Sequence, residues 1–252
     1  MKTAPASAPA RTGAALDAFE KCDAGLRAWA LAEGGVEHQF SALIDAATLR
    51  RAEYPDAFPH LLMTAASAAD PLQPLADDNL AIAGWFLSPA VCYHAYAALA
   101  GRVIEHGIAL TARGSCFRHE EANKLAAGRR QVEFQMRELV LVGRADWIDA
   151  RLAVLQSGVD ALAAAAGLTT TWCPANDPFF LPRARGKAQM QRLLGTKMEL
   201  CLPDGLAIAS INRHGPFFGG RFHIRTADDQ PAHSACVAFG LDRWAHALSS
   251  LS

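Results

Sequence analysis

The sequence contains no apolar run near the ~20 residues a helix needs to cross a bilayer, so no transmembrane segment and no membrane partner are expected. It contains no Cys-x-x-Cys pair. Its six cysteines stand at 22, 92, 116, 173, 201 and 236. A metal site built from them would have to gather ligands from distant stretches, and a disulfide framework is not expected in a chain of this kind. His-x-x-x-His and similar ligand pairs are also missing, which argues against a helix-borne hydrolytic zinc motif. Charge of one sign is not in excess: 24 Lys and Arg face 25 Asp and Glu, for a net charge of -1. With no basic tract, an extended nucleic-acid surface is not expected. No repeat or linker-like stretch divides the chain. The first dozen residues lack the apolar core of a secretory signal, and the expected location is cytoplasmic.

What is present fits one well-filled domain: 252 residues, 51% hydrophobic and 19% charged. Residues 1–13 are rich in Ala, Pro and Ser and are expected to form a disordered leader, with a single domain over 14–252. Leu16, Phe19, Leu26, Trp29 and Ala30 recur at helical spacing over 14–33, before Gly34 and Gly35. A second helix is expected over 39–51 and an extended, Pro-directed path over 54–59. Strands are expected at 61–66 and 81–86. Ser88 and Pro89 look like the opening of a helix that runs to about 105, with Cys92 in its first turn. Ile148, Leu152, Leu155, Val159 and Leu162 mark the clearest helix, 146–166, closed by Gly167. A Pro/Phe/Arg loop over 176–186 and a short helix over 187–194 precede expected strands at 197–202, 206–212, 219–224 and 236–239. A last helix enters at 240. Helices first and then mostly adjacent strands favour an α+β fold with an antiparallel sheet.

The chemistry concentrates in 114–142, two strand-like runs around a polar loop. Arg118 and Glu120, two apart, share a face if the strand continues. On the return run Val132, Phe134, Met136, Glu138, Val140 and Val142 share a face that is apolar except for one carboxylate. A buried carboxylate is costly unless a cation or several donors meet it. An ordinary hairpin with Arg118 paired to Glu138 would satisfy this pattern, and so would a nucleotide and amino-acid site.

Phe117-Arg118-His119-Glu120, a loop, and 130–138 resemble motif 2 of the class II aminoacyl-tRNA synthetases. Gly240-Leu241-Asp242-Arg243 before a terminal helix resembles motif 3. The nearest pattern is the seryl-tRNA synthetase core, matched by Arg130, Phe134 and Glu138 without its usual His, Gln and Lys; the likeness covers roughly 35–250. The coiled-coil arm that grips tRNA in those enzymes is not expected here, since only one short helix and the leader precede the core. The combination resembles the amino acid:[carrier protein] ligases, which are truncated seryl-synthetase relatives.

That resemblance implies zinc held by Cys92, Glu138 and Cys236, with an open position for the substrate's amino group. Cys116 is assigned to packing. The implied reaction is ATP-dependent formation of an aminoacyl-adenylate from glycine or alanine. Transfer to the phosphopantetheine thiol of a carrier protein follows, with no tRNA involved. Arg118 matches the arginine that holds the α-phosphate and the carboxylate, and Arg243 the one that clamps the γ-phosphate. Phe134 matches the ring under adenine, with Arg243 stacked above it, and Glu120 the acid that reads the adenine amino group. Arg130 is a further phosphate or adenine contact. Ala207-Ile208-Ala209-Ser210 keeps only one serine of the seryl magnesium pattern, leaving Ser210 and Glu199 as candidate Mg2+ ligands. The family also implies a homodimer, with 54–60 near its interface. Arg183, Arg185, Lys187 and Arg192 form either a face for an acidic carrier or a solvated helix face. The rival expectations are an armless tRNA-aminoacylating enzyme and a non-catalytic synthetase paralogue acting as a binding module.

Overall fold

The structure, a computed structural model, describes residues 10–175, 177 and 196–251. Four residues of the expected leader, 10–13, are among them, and Arg11 anchors that stretch: it pairs with Asp242 and lies 4.2 Å over the Phe19 ring. Helix α1 (Ala14–Ala32) then buries Phe19, Leu26 and Ala30. Gly34, at φ 82°, turns the chain. At Gly35 a Cβ would meet Ala30 O and Leu139 Cδ1 at 2.7 Å, so only glycine passes there. Strand β1 (Val36–Glu37) follows, then β2 (Leu43–Asp45), α2 (Ala46–Arg51) and α3 (Tyr54–Ala57). Next come β3 (Thr64–Ala68), β4 (Leu80–Leu87), α4 (Cys92–Ala98) and β5 (Val103–Ile104). The central hairpin is β6 (Ile108–Phe117) and β7 (Glu133–Gly143), followed by α5 (Ala145–Ala165) and β8 (Thr171–Pro174). The chain ends with β9 (Lys197–Cys201), β10 (Ala207–Gly215), α6 (Phe217–Phe222), β11 (Arg225–Thr226), β12 (His233–Gly240) and α7 (Leu241–Ser249).

Among the described residues seven strands form the main sheet, in the order β1-β6-β7-β12-β10-β9-β8. Only the short β1 runs parallel to its neighbour; the other five pairings are antiparallel. Alternation along each strand decides what each face meets. Leu139, Leu141, Val237 and Phe239 pack with the buried stripes of α1, α5 and α7 in the larger core. Val140, Val142, Leu110 and Cys236 face the other way, into a core shared with α4 and α6. Arg137, on the α1 side and only 2% exposed, donates to Asp23 at 2.6 and 3.1 Å and to Glu37 at 3.2 Å, tying helix to sheet. Strands β2, β4 and β3 form a separate antiparallel sheet. No helix among the described residues is long and apolar enough to cross a membrane.

Several local expectations are corrected. The helix expected over 39–51 begins only at Ala46, because Leu43 to Asp45 pair with β4 and Asp45 caps the helix, accepting Thr48 N–H at 2.7 Å. Ser88 does not cap a helix: its hydroxyl donates to Ala90 O, and α4 spans only Cys92–Ala98. The path at 54–59 includes a helical turn with Pro55 near its start. The strand expected at 219–224 is helix α6, in which Phe218 and Phe222, four apart, both pack on Tyr96. Apart from Asp177, the 176–186 loop and the 187–194 helix lie outside the described residues, and so do the four cations assigned to carrier docking.

Candidate active site

Glu138 sits midway along β7, opposite Ala112 of β6 on one side and Ala238 of β12 on the other. Two alanines leave the carboxylate room. Cys236 stands two residues before Ala238 on the same face, and Cys92 opens α4 within the same cluster of packed side chains. One ligating atom from each of Cys92, Glu138 and Cys236 lies within 4.8 Å of the others, and all three residues are buried. Glu138 Oε1 accepts Val91 N–H at 3.0 Å, while Oε2 has no hydrogen-bond partner among the described residues.

Burial pushes the Glu138 carboxyl above its usual range. The hydrogen bond with Cys236, then burial, hold the Cys92 thiol well above its own. At Cys236 the bond from Cys92 pulls down, but burial and the Glu138 charge push further and leave it raised. Three groups that each resist ionising at one spot, one with an orphaned oxygen, form a donor set that a bound divalent cation would relieve. Two sulfurs and a carboxylate suit zinc and leave a fourth position open.

Arg118 does not pair with Glu138. It lies just past β6, donates Nε and Nη2 to Pro89 O at 3.2 and 3.1 Å, and places its guanidinium carbon 5.0 Å over the Phe134 ring. The cation over Phe134 is therefore Arg118. Arg243 donates to Arg129 O at 2.6 Å and Ala207 O at 2.9 Å. Burial, then the like charges of Arg118 and Arg130, pull the Arg243 guanidinium below its ordinary value. An anion between these arginines would reverse that cost. Glu120 and Arg130 pair with each other at 2.8 Å at the cleft rim. Ser210 and Glu199 face each other across β10 and β9. Glu199 already has a cation, Lys197 Nζ at 3.3 Å, and Ser210 accepts from Asn212 at 3.1 Å. Cys116 is fully buried against Val91 and Ala112, a packing role.

All ten residues assigned from the sequence line one cleft. Others in its wall were not assigned. Asp242, 5% exposed, accepts Gln135 N–H at 2.6 Å and so ties the start of α7 to β7. Lys197 bridges Asp177 at 2.6 Å and Glu199. Asn212 Nδ2 lies 3.5 Å from Cys236 Sγ, and His214 Nδ1 lies 3.0 Å from Tyr96 OH. Alternation of Lys197 with Glu199 and of Asn212 with Ser210 was the available signal, since each pair shares a strand face.

No family model matches the chain. Over 178 residues, 68% of this chain and 52% of the relative, it is 38% identical to amino acid--[acyl-carrier-protein] ligase 2 of Bradyrhizobium diazoefficiens. To ligase 1 of the same organism it is 36% identical over 177 residues, 68% and 53% of the two chains. The chain thus spans about half the length of the curated relatives it matches. Among solved structures, M. kandleri SerRS in complex with A. aeolicus tRNASec aligns with a TM-score of 0.81 at 20% identity, over 98% of this chain and 54% of that one. Giardia lamblia prolyl-tRNA synthetase in complex with prolyl-adenylate aligns with a TM-score of 0.73 at 15% identity, over 98% and 49%. The chain has the fold of a class II aminoacyl-tRNA synthetase catalytic core. Within that fold class it is a relative of the amino acid–[acyl-carrier-protein] ligases.

Proposed function

We propose that the chain is an AMP-forming ligase that activates a small amino acid, glycine or alanine, and passes it to the phosphopantetheine thiol of a carrier protein. The observation that carries this is the Cys92, Glu138 and Cys236 set, with its orphaned carboxylate oxygen, in one cleft with Arg118, Phe134 and Arg243. The names of the two relatives support the acceptor class.

In the first half-reaction a substrate carboxylate oxygen attacks the α-phosphorus of ATP, and the bond to pyrophosphate breaks. This step needs charge neutralisation more than proton transfer. Arg118, over Phe134 in the same cleft as Cys92, Glu138 and Cys236, would meet both the carboxylate and the α-phosphate. Phe134 stacks on adenine, Glu120 accepts from the adenine amino group once Arg130 turns to phosphate, and Arg243 receives the γ-phosphate. Cys92, Glu138 and Cys236 would hold zinc, which when bound supplies a Lewis-acid position for the amino group. Glu199 and Ser210 would hold Mg2+, with Lys197 as the charge to be displaced. In the second half-reaction the carrier thiolate attacks the adenylate carbonyl and AMP leaves. Leu80, Ile82 and Trp85 of the smaller sheet, 47%, 69% and 48% exposed, support a homodimer.

ATP–pyrophosphate exchange across all twenty amino acids, on protein assayed for bound zinc, tests the reading. Exchange with glycine or alanine is expected. Exchange with serine alone would move the assignment to tRNA aminoacylation, and no exchange with any amino acid would leave a binding module.

A further inference from the structure

Strands β8 and β9 close one end of the main sheet, and each brings a cysteine to the same face. Thr171 pairs with Cys201, and Cys173 with Glu199, so Cys173 and Cys201 are diagonal neighbours in an antiparallel ladder. Both are free and partly exposed. Each sulfur donates to a carbonyl of its own strand, Cys173 to Thr171 O at 3.9 Å and Cys201 to Glu199 O at 3.7 Å. The face they share is that of Glu199, which lines the cleft. Along β9 the register then leads to the nucleotide end: Cys201 lies opposite Ala207, whose carbonyl accepts from Arg243 at 2.9 Å.

We infer that Cys173 and Cys201 form a reversible disulfide under hydrogen peroxide, an oxidation site beside the strand that holds Arg243. The Cys173 sulfur attacks one peroxide oxygen, the O–O bond breaks, and sulfenic acid and hydroxide result. The Cys201 sulfur then attacks the sulfenic sulfur; an S–S bond forms, the S–O bond breaks and water leaves. Two thiols are oxidised and one peroxide is reduced to two waters. Cys173 stands on β8, the edge strand of the sheet, and meets peroxide first; Cys201, one strand inward on β9, serves as the resolving partner. A diagonal pair is wider than a relaxed disulfide prefers, so bonding draws β8 along β9 and leaves the bridge easily reduced. That shift reaches Arg243 through Ala207.

The test treats the whole chain with hydrogen peroxide, blocks remaining thiols with N-ethylmaleimide and maps peptides by mass. A peptide joining Cys173 to Cys201, lost on adding dithiothreitol, is expected. Cys201→Ser should instead leave a dimedone-reactive sulfenic acid at Cys173. Recovery of both cysteines alkylated, or of Cys173 joined to a different cysteine, overturns the proposal. The second readout, AMP affinity, rests on the proposed function. Oxidation should weaken binding several-fold in the wild type and leave Cys201→Ser unchanged. Equal affinity in both redox states overturns the coupling to Arg243. If the reduced protein binds no AMP, the proposed function fails, and the linked peptide alone judges the disulfide.

Discussion

At the scale of single residues, the carboxylate of Glu138 carries the most information. Buried with no donor to Oε2 among the described residues, it destabilises the metal-free protein. Glu138→Gln keeps an acceptor for Val91 N–H and removes the charge. In metal-free protein it should raise stability by ~1–3 kcal/mol, seen as a higher urea midpoint. The same variant should lose at least ~10-fold in zinc affinity by chelator competition. A variant with undiminished zinc binding would remove Glu138 from the ligand set. His214 makes a second prediction. Burial drops its pKa to about 4, well below the ordinary value of 6.5. As pH falls through 6.5 the unfolded chain takes up a proton that the folded ring refuses, so stability declines towards pH 4 and levels off below it. The full linkage is about 3 kcal/mol, reduced because the ring is partly open to the cleft. Urea midpoints of wild type and His214→Gln should diverge between pH 6.5 and 4 and run parallel above.

At the scale of elements, α6 shows how a local pattern misleads. The stretch around Gly219 to Ile224 mixes apolar residues and glycine in a way that suits a short strand. Its helix exists because Phe218 and Phe222 find Tyr96, and because Gly219 lets the helix approach the chain before β12. A Cβ at Gly219 would lie 2.0 Å from Ala232 O, while one at Gly220 would meet nothing within 4 Å. Gly219→Ala is therefore expected to destabilise by at least ~2 kcal/mol. Gly220→Ala should be neutral or stabilising by up to ~1 kcal/mol. Equal urea midpoints for the two variants would contradict this packing. The central hairpin, by contrast, was legible from alternation alone, because a period of two needs no partner to be recognised.

At the scale of the whole molecule, the three-stranded sheet exposes the apolar side chains Ile82 and Trp85, and the proposed homodimer is tested there. Light scattering at micromolar concentration should give the mass of a dimer, and Ile82→Glu combined with Trp85→Glu should give that of a monomer. A monomeric wild type would remove the homodimer from the proposal.

The sequence by itself determined the strands of the hairpin, the long amphipathic α5 and the two motifs around Arg118 and Arg243. Each of these is set by residue types at short spacing. It also marked Glu138 as anomalous, since one carboxylate on an apolar strand face is visible from alternation. Spacing could not say what that carboxylate meets. Cys92, Glu138 and Cys236 come from three distant stretches, and only the sheet order that puts β7 beside β12, with α4 packed over them, brings their atoms together. The same holds for Arg137 with Asp23, for Arg118 over Phe134, and for Cys173 beside Cys201. Side-chain partners far apart in sequence are chosen by strand register and helix docking, and these depend on burial summed over the whole core.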